Sequence, residues 1–257
     1  MTDPQTSLPP RLHLAGPVAT LTLSRPGQAN RLSPADLHAV RDHLHTVNAD
    51  ERVLVLRIVA TGKYFCSGYD IGSLADAEAP SSLYFGETVD LVEAARPVTI
   101  AAIQGGVYGG GTDLSLACDF RIGTTEANMF MPATRLGLHF YPGGLQRYVT
   151  RLGLDVAKRL FLTAQRLDAA EMLRIGFLTE QVAPDALTAR LDALTEQLVQ
   201  MAPIPLLGVK QHLNRIAQGE LQRETIEAEV RRSEASQDMA EGAAAWKEKR
   251  APAFTGR

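Results

Sequence analysis

Val18-Ala19-Thr20-Leu21-Thr22-Leu23 alternates apolar and polar positions with a period of two, the pattern of a strand with one buried face. The period then lengthens. Ser33-Pro34 opens a helix, with serine as cap and proline at the first helical position. Leu37, Val40, Leu44 and Val47 fall on one face of it. Two apolar runs, Val53-Leu54-Val55-Leu56-Arg57-Ile58-Val59 and Val98-Thr99-Ile100-Ala101-Ala102-Ile103, read as buried strands. Strand and helix alternate, which predicts α/β layering. From about residue 143 the spacing becomes helical almost throughout, broken at Pro203-Ile204-Pro205, and residues 220–232 read as a charged amphipathic helix. Residues 1–10, with three prolines, are expected as a loose arm. No internal repeat or low-complexity segment interrupts the chain.

The second buried run feeds Gly105-Gly106-Val107-Tyr108-Gly109-Gly110-Gly111-Thr112-Asp113, which holds five glycines in its first seven residues. An apolar helical pattern follows at once in Leu114-Ser115-Leu116-Ala117. Glycine costs roughly 0.5–1 kcal/mol relative to alanine inside regular structure, so the run needs a reason. A dinucleotide fingerprint needs G-x-G-x-x-G, and that spacing is absent. A P-loop needs a lysine where Gly111 stands, although Gly105, Gly110 and Thr112 have the right spacing. The remaining ligand-binding reading is a strand-to-helix turn whose unpaired amides approach a substrate oxygen, an oxyanion hole. The alternative is a tight corner with no ligand, in which Asp113 is only a partner of the helix dipole.

The composition narrows the function classes. The chain has 257 residues, of which 45% are hydrophobic, enough for a sizeable core. Acidic residues number 29 against 26 basic ones, which argues against nucleic-acid binding by bulk electrostatics. Cys66 and Cys118 lack C-x-x-C spacing, so neither a disulfide framework nor a zinc site is expected and a reducing compartment fits. The start lacks the basic and apolar regions of a signal peptide, and no window approaches the ~18 apolar residues of a membrane span. These features lead us to expect a cytoplasmic protein with no membrane or nucleic-acid partner.

Lys63-Tyr64-Phe65-Cys66-Ser67-Gly68-Tyr69-Asp70-Ile71 makes the chemistry specific. Its F-C-S-G-Y-D resembles the F-C-A-G-A-D signature of the enoyl-CoA hydratase/isomerase (crotonase) family. Arg96-Pro97-Val98, Ala101-Ala102-Ile103-Gln104-Gly105 and the stretch from Gly109 through Asp113 to Asp119 are similar to the family's second signature. The resemblance runs from Leu23-Ser24-Arg25-Pro26 to Glu248-Lys249-Arg250. It implies a crotonase-like spiral of β-β-α turns over residues 1–198 and a helical C-terminal oligomerisation region over residues 199–257, assembled as a homotrimer or hexamer.

The resemblance also implies roles for individual residues. The amides of Tyr69 and Gly110 would bind the thioester oxygen of an acyl-CoA and stabilise an enolate. Asp113 stands where the family has the first of two catalytic glutamates, one methylene shorter. The second normally follows a proline in P-E-x-x-L-G-L; here the stretch is Pro132-Ala133-Thr134-Arg135-Leu136-Gly137-Leu138, with Ala133 in its place. His139 and Tyr141 follow closely, each readable as a substitute proton carrier, His139 equally as a loop histidine and Tyr141 as a pocket wall. CoA contacts are implied for Gly27, Gln28 and Ala29; for Phe65, Ser67, Gly68, Asp70 and Ile71; for Gly109 and Ala133; and for Trp246 and Lys249, often against a neighbouring subunit. Residues 74–84 are expected to line the acyl pocket. The implied function is enoyl-CoA hydration or isomerisation, with no metal and no cofactor beyond the CoA of the substrate. Acyl-CoA hydrolysis or decarboxylation, and non-catalytic CoA-ester binding, are the alternatives.

Overall fold

The computed structural model describes residues 7–72 and 81–257. Strand β1 (Leu8–Ala15) pairs antiparallel with β2 (Val18–Ser24). The expected arm is therefore a strand from Leu8 onward, and residues 1–6 lie outside the described residues. Pro9 and Pro10 are tolerated because β1 is an edge strand and its register shifts between Leu8 and Arg11. Helix α1 (Pro34–Ala49) follows, closed by a capping box between Ser33 and Asp36. Leu37, Val40, Leu44 and Val47 are buried on its inner face as the spacing predicts.

The middle of the chain climbs as a spiral, and each coil leaves one strand in each of two sheets. Strands β3 (Val55–Ala60) and β4 (Tyr64–Cys66) lead to α2 (Ser82–Glu93). Strands β5 (Val98–Ile103) and β6 (Gly106–Tyr108) lead to α3 (Gly110–Ala117). Strands β7 (Phe120–Thr124) and β8 (Asn128–Phe130) lead, through a short 3-10 turn at Ala133–Leu136, to α4 (Pro142–Leu152) and α5 (Leu154–Thr163). Strand β9 (Leu167–Asp168), α6 (Ala169–Arg174), β10 (Glu180–Val182) and α7 (Leu187–Val199) complete the layers. The larger sheet runs β1-β2-β3-β5-β7-β10 and the smaller β4-β6-β8-β9. From β2 to β10 the larger sheet is parallel.

Both faces of that sheet are covered, which explains the unbroken apolar runs. Leu56, Ile58, Ala101 and Ile103 enter the main core with Leu37, Phe65, Phe85 and Tyr148. Val55, Val98, Ile100 and Ile122 pack on the other face against Leu191, Leu194 and Leu198 of α7. Helix α8 (Pro203–Ala217) starts at the proline pair and adds Leu206 and Leu207 to the same cluster. Its buried Lys210 donates to the carbonyls of Ala95 at 2.7 Å and Pro97 at 2.5 Å and pairs with Asp119 at 2.9 Å. Helices α9 (Arg223–Glu234) and α10 (Gln237–Glu248) end the chain.

Candidate active site

The two glycine-bearing turns leave the smaller sheet from neighbouring strands, β4 and β6, which pair in parallel. After β4 the backbone is laced to the loop that follows Arg25-Pro26. Ser67 N–H donates to the Ala29 carbonyl (2.9 Å), Leu32 N–H to the Gly68 carbonyl (2.8 Å) and Asp70 N–H to the Leu32 carbonyl (2.9 Å). Buried Asn30 fixes the loop from within, accepting from Arg25 N–H at 2.7 Å and donating to the carbonyls of Thr61 (2.9 Å) and Tyr64 (2.7 Å). Ala29 and Leu32 are thus tied to the segment of Ser67, Gly68 and Asp70, and Gly27 and Gln28 form the 3-10 turn just before Ala29. Asp70 also pairs with Arg31 at 3.3 Å, and Ile71 is exposed. The Phe65 side chain is fully buried in the main core, so it offers a ligand nothing but its backbone.

The turns meet with almost no space between them. Gly68 has φ +87°, and a Cβ on it would stand 2.5 Å from the Gly110 nitrogen. A Cβ on Gly111 would stand 2.4 Å from the Cys66 carbonyl oxygen. Gly109 caps α3 and Gly110 is its first residue, so the Gly110 amide has no acceptor within the helix and sits at the positive end of the dipole. The backbone around Tyr69 and the amide of Gly110 therefore share one small volume. Aromatic rings wall it: Tyr69 and Phe85 lie 5.9 Å apart between centroids, and Phe85 and Tyr141 6.0 Å. Beneath, the hydroxyls of Thr112 and Tyr148 bond to each other in the interior.

Asp113 lies in the first turn of α3 and is 0% exposed. Tyr141 Oη donates to its Oδ2 at 2.8 Å, and Arg147 Nε and Nη2 donate to Oδ1 and Oδ2 at 3.0 and 2.8 Å. The third guanidinium nitrogen, Nη1, reaches Asp90 at 2.7 Å and Glu93 at 3.1 Å. One buried cation thus serves three carboxylates. Burial by itself favours a neutral guanidine, but Asp113 and then Glu93 more than offset it, and the proton is held more tightly than usual. Burial, reinforced by the charge of Asp113, pushes the Tyr141 phenol well above its ordinary range.

Ala133 is buried in its 3-10 turn and places no second carboxylate there. His139 is exposed, and its Nδ1 bonds to the Phe140 carbonyl at 2.7 Å, the loop-histidine arrangement. It shares with Ser82, Leu83, Phe140, Tyr141, Pro142 and Leu145 the lining of a cleft of about 450 Å³. Residues 81–84 of the expected acyl-pocket segment thus contribute Ser82 and Leu83, while 74–80 fall outside the described residues. A larger cavity, about 990 Å³, lies away from the glycine turns, between α8, α9, residues 254–257 and the ends of α1 and α2; charges of both signs line it. Trp246, 88% exposed on α10, and Lys249, which closes that helix with φ +56°, make no hydrogen bond, ion pair or ring contact with the glycine turns among the described residues. Asp90, Glu93, Phe85 and Arg147 are site residues that the sequence reading misses. The available signal was Arg147, a charge on the same helical face as Gly144, Tyr148 and Leu152, all buried.

The family model for enoyl-CoA hydratase/isomerase matches residues 14–257. A crotonyl-CoA hydratase of Syntrophomonas wolfei is 32% identical, covering 92% of this chain and 94% of its own. A carnitinyl-CoA dehydratase of Salmonella typhi is 30% identical, covering 96% and 98%. Among solved structures, an enoyl-CoA hydratase/carnithine racemase from Magnetospirillum magneticum superposes with a TM-score of 0.91 at 26% identity, covering 98% of this chain and 97% of that one. An enoyl-CoA hydratase from Bacillus anthracis gives 0.87 at 29%, covering 97% and 100%.

Proposed function

Because the chain belongs to the enoyl-CoA hydratase/isomerase family, we propose that it binds an acyl-CoA thioester with the thioester oxygen between the Tyr69 and Gly110 amides and turns it over through an enolate. The observation that carries this reading is the near-contact of Gly68 with Gly110, the close approach that an oxyanion site built from both turns requires. Gly27, Gln28, Ala29, Ser67, Gly68, Asp70, Ile71 and Gly109 line the CoA side, with Ala133 beside the acyl group. Trp246 and Lys249 reach CoA on a neighbouring copy.

Hydration needs one group for water and one for the α-carbon. A shift of the double bond needs a single carrier that removes a proton and returns it. Asp113 is the carboxylate on the helix that Gly110 opens, and Ala133 stands where the family's second one would, which favours the double-bond shift. The test is incubation with 2-enoyl- and 3-enoyl-CoA esters of several chain lengths, following the conjugated thioester by absorbance and binding by thermal shift. Conversion of 3-enoyl to 2-enoyl esters is expected. Binding with no turnover of any ester would make the protein a CoA-ester binder, and release of free CoA or CO₂ would make it a hydrolase or decarboxylase.

A homotrimer or hexamer in the cytoplasm completes the proposal. It is supported by half-exposed Val209, Leu213 and Ile216 at helical spacing on α8 and by Cys66 and Cys118, both buried and not bonded to each other. Light scattering that gives a monomer at micromolar concentration would refute the assembly.

A further inference from the structure

We infer that, among the described residues, Tyr141 is the one that carries protons to and from Asp113, so that phenol and carboxylate act as one relay, with Arg147 as the residue that positions it. The inference rests on the enolate reading above and adds the route of the proton.

Three of the roughly four lone-pair positions of the Asp113 carboxylate are occupied, two by the Arg147 fork and one by the Tyr141 hydroxyl. The carboxylate has no solvent exposure. Arg147 cannot carry a proton away, since its own is held by three acidic neighbours. Tyr141 is different. It is 6% exposed, it lines the cleft, and its oxygen keeps acceptor capacity while its hydrogen points at Oδ2. Its ring is seated deliberately: it stacks on Phe140 at 4.2 Å, and a Cβ on Gly86 would stand 2.5 Å from it. Asp113 is three residues along α3 from Gly110, in the same first turn, a rise of about 4.5 Å along the helix axis. The phenol therefore bonds to a carboxylate carried by the same helical turn as the amide that would hold the thioester oxygen.

The step balances. A proton leaves the substrate carbon for the Tyr141 oxygen as the phenolic proton passes to Asp113 Oδ2. The C–H electron pair moves into the enolate, whose oxygen takes up the negative charge. Tyr141 is neutral before and after, Asp113 becomes the acid, and the charge has moved to the N-terminus of α3. Reversal at another carbon returns the proton. Arg147, tied to Asp90 and Glu93, stops Asp113 from turning toward the substrate directly.

The test is exchange of the α-hydrogens of butyryl-CoA in D₂O, read by mass spectrometry, with binding read by thermal shift. Tyr141→Phe and Asp113→Asn should each slow exchange about 10²-fold or more and leave binding unchanged, and the double variant should be no slower than the worse single one. Arg147→Lys, which keeps the charge and loses the fork, should lower kcat for exchange with KM unchanged. Wild-type exchange in Tyr141→Phe, or losses that multiply in the double variant, would overturn the relay; unchanged kcat in Arg147→Lys would overturn its positioning role. If Tyr141→Phe fails to fold, 3-fluorotyrosine at 141 keeps the shape and makes the phenol more acidic. A rate and pH profile identical to wild type would then overturn the relay, and an altered profile would support it. Failure of the wild type to exchange or bind butyryl-CoA would sink the enolate reading itself, a result distinct from any pattern among variants.

Discussion

Gly68→Ala would place one methyl group between the two amide donors. Two effects follow, and they are separable. The backbone at φ +87° strains any L-residue by roughly 1–3 kcal/mol. The new Cβ would also stand 2.5 Å from the Gly110 nitrogen and 2.9 Å from its Cα, whereas ordinary contact begins at 3.4 Å, so the turns must part by about 0.9 Å. Misplacement near 1 Å costs about 10²-fold in rate, and loss of one oxyanion donor about 10²–10³-fold. Gly153→Ala isolates the first effect: φ there is +85°, and nothing lies within 4 Å of the added carbon. Both variants should lose a few degrees of Tm, at about 2–4 °C per kcal/mol for a chain of this size. Only Gly68→Ala should lose turnover, by about 10²–10³-fold, in an acyl-CoA exchange assay at saturating ester. Wild-type turnover in a folded Gly68→Ala, or equal losses in both variants, would refute the spacing argument.

Ala133→Glu should raise hydration of crotonyl-CoA by about tenfold, limited because a carboxylate misplaced by 1 Å forfeits about 10²-fold; ordinary hydration by the wild type would contradict this. Lys210→Met should destabilise the fold by about 1–3 kcal/mol in urea unfolding, because the partly buried Asp119 would lose its cation and the Ala95 and Pro97 carbonyls their donor; a change below 0.5 kcal/mol, roughly that of a neutral surface substitution, would show that α8 is held by its apolar side chains alone. Burial pushes the thiols of Cys66 and Cys118 up to about 12, so the native state keeps both protons through the range in which the unfolded chain, with thiols near 9.0, releases them. Stability is then full below pH 9 and falls above it, by on the order of 2–3 kcal/mol per pH unit for two groups. Denaturation at pH 8 and 10 checks this, and a double Cys→Ala variant should flatten the slope.

Long elements with one clear period were legible. The Ser33 cap, the inner face of α1 and the bounds of β5 lie where spacing places them, because each satisfies one strong local rule. The three-residue strands β4, β6 and β8 were not, since three residues carry no period; they exist because neighbouring coils supply their hydrogen-bond partners. Pro9 and Pro10 suggested a loose arm, and only the edge position reconciles them with a strand. The glycine turns were readable because close backbone approach leaves its mark as glycine. The company Asp113 keeps was not. Tyr141 and Arg147 lie 28 and 34 residues further along, and nothing local says that both turn to the same carboxylate.

The proposed oxyanion hole spans successive coils of the spiral, with its donors in backbone rather than side chains. Its dimension is a pitch, set by the parallel pairing of β4 with β6. Side chains around it can therefore drift, and a second carboxylate can become an alanine, without disturbing where a thioester oxygen would rest. A change that alters the pitch by a fraction of an ångström acts on every reaction the site could host. On the proposed function, the chain separates a constant part, which would make enolates accessible, from a replaceable part, which would decide what becomes of them. New activities on this frame are best sought at positions 133, 139 and 141 rather than at the glycines.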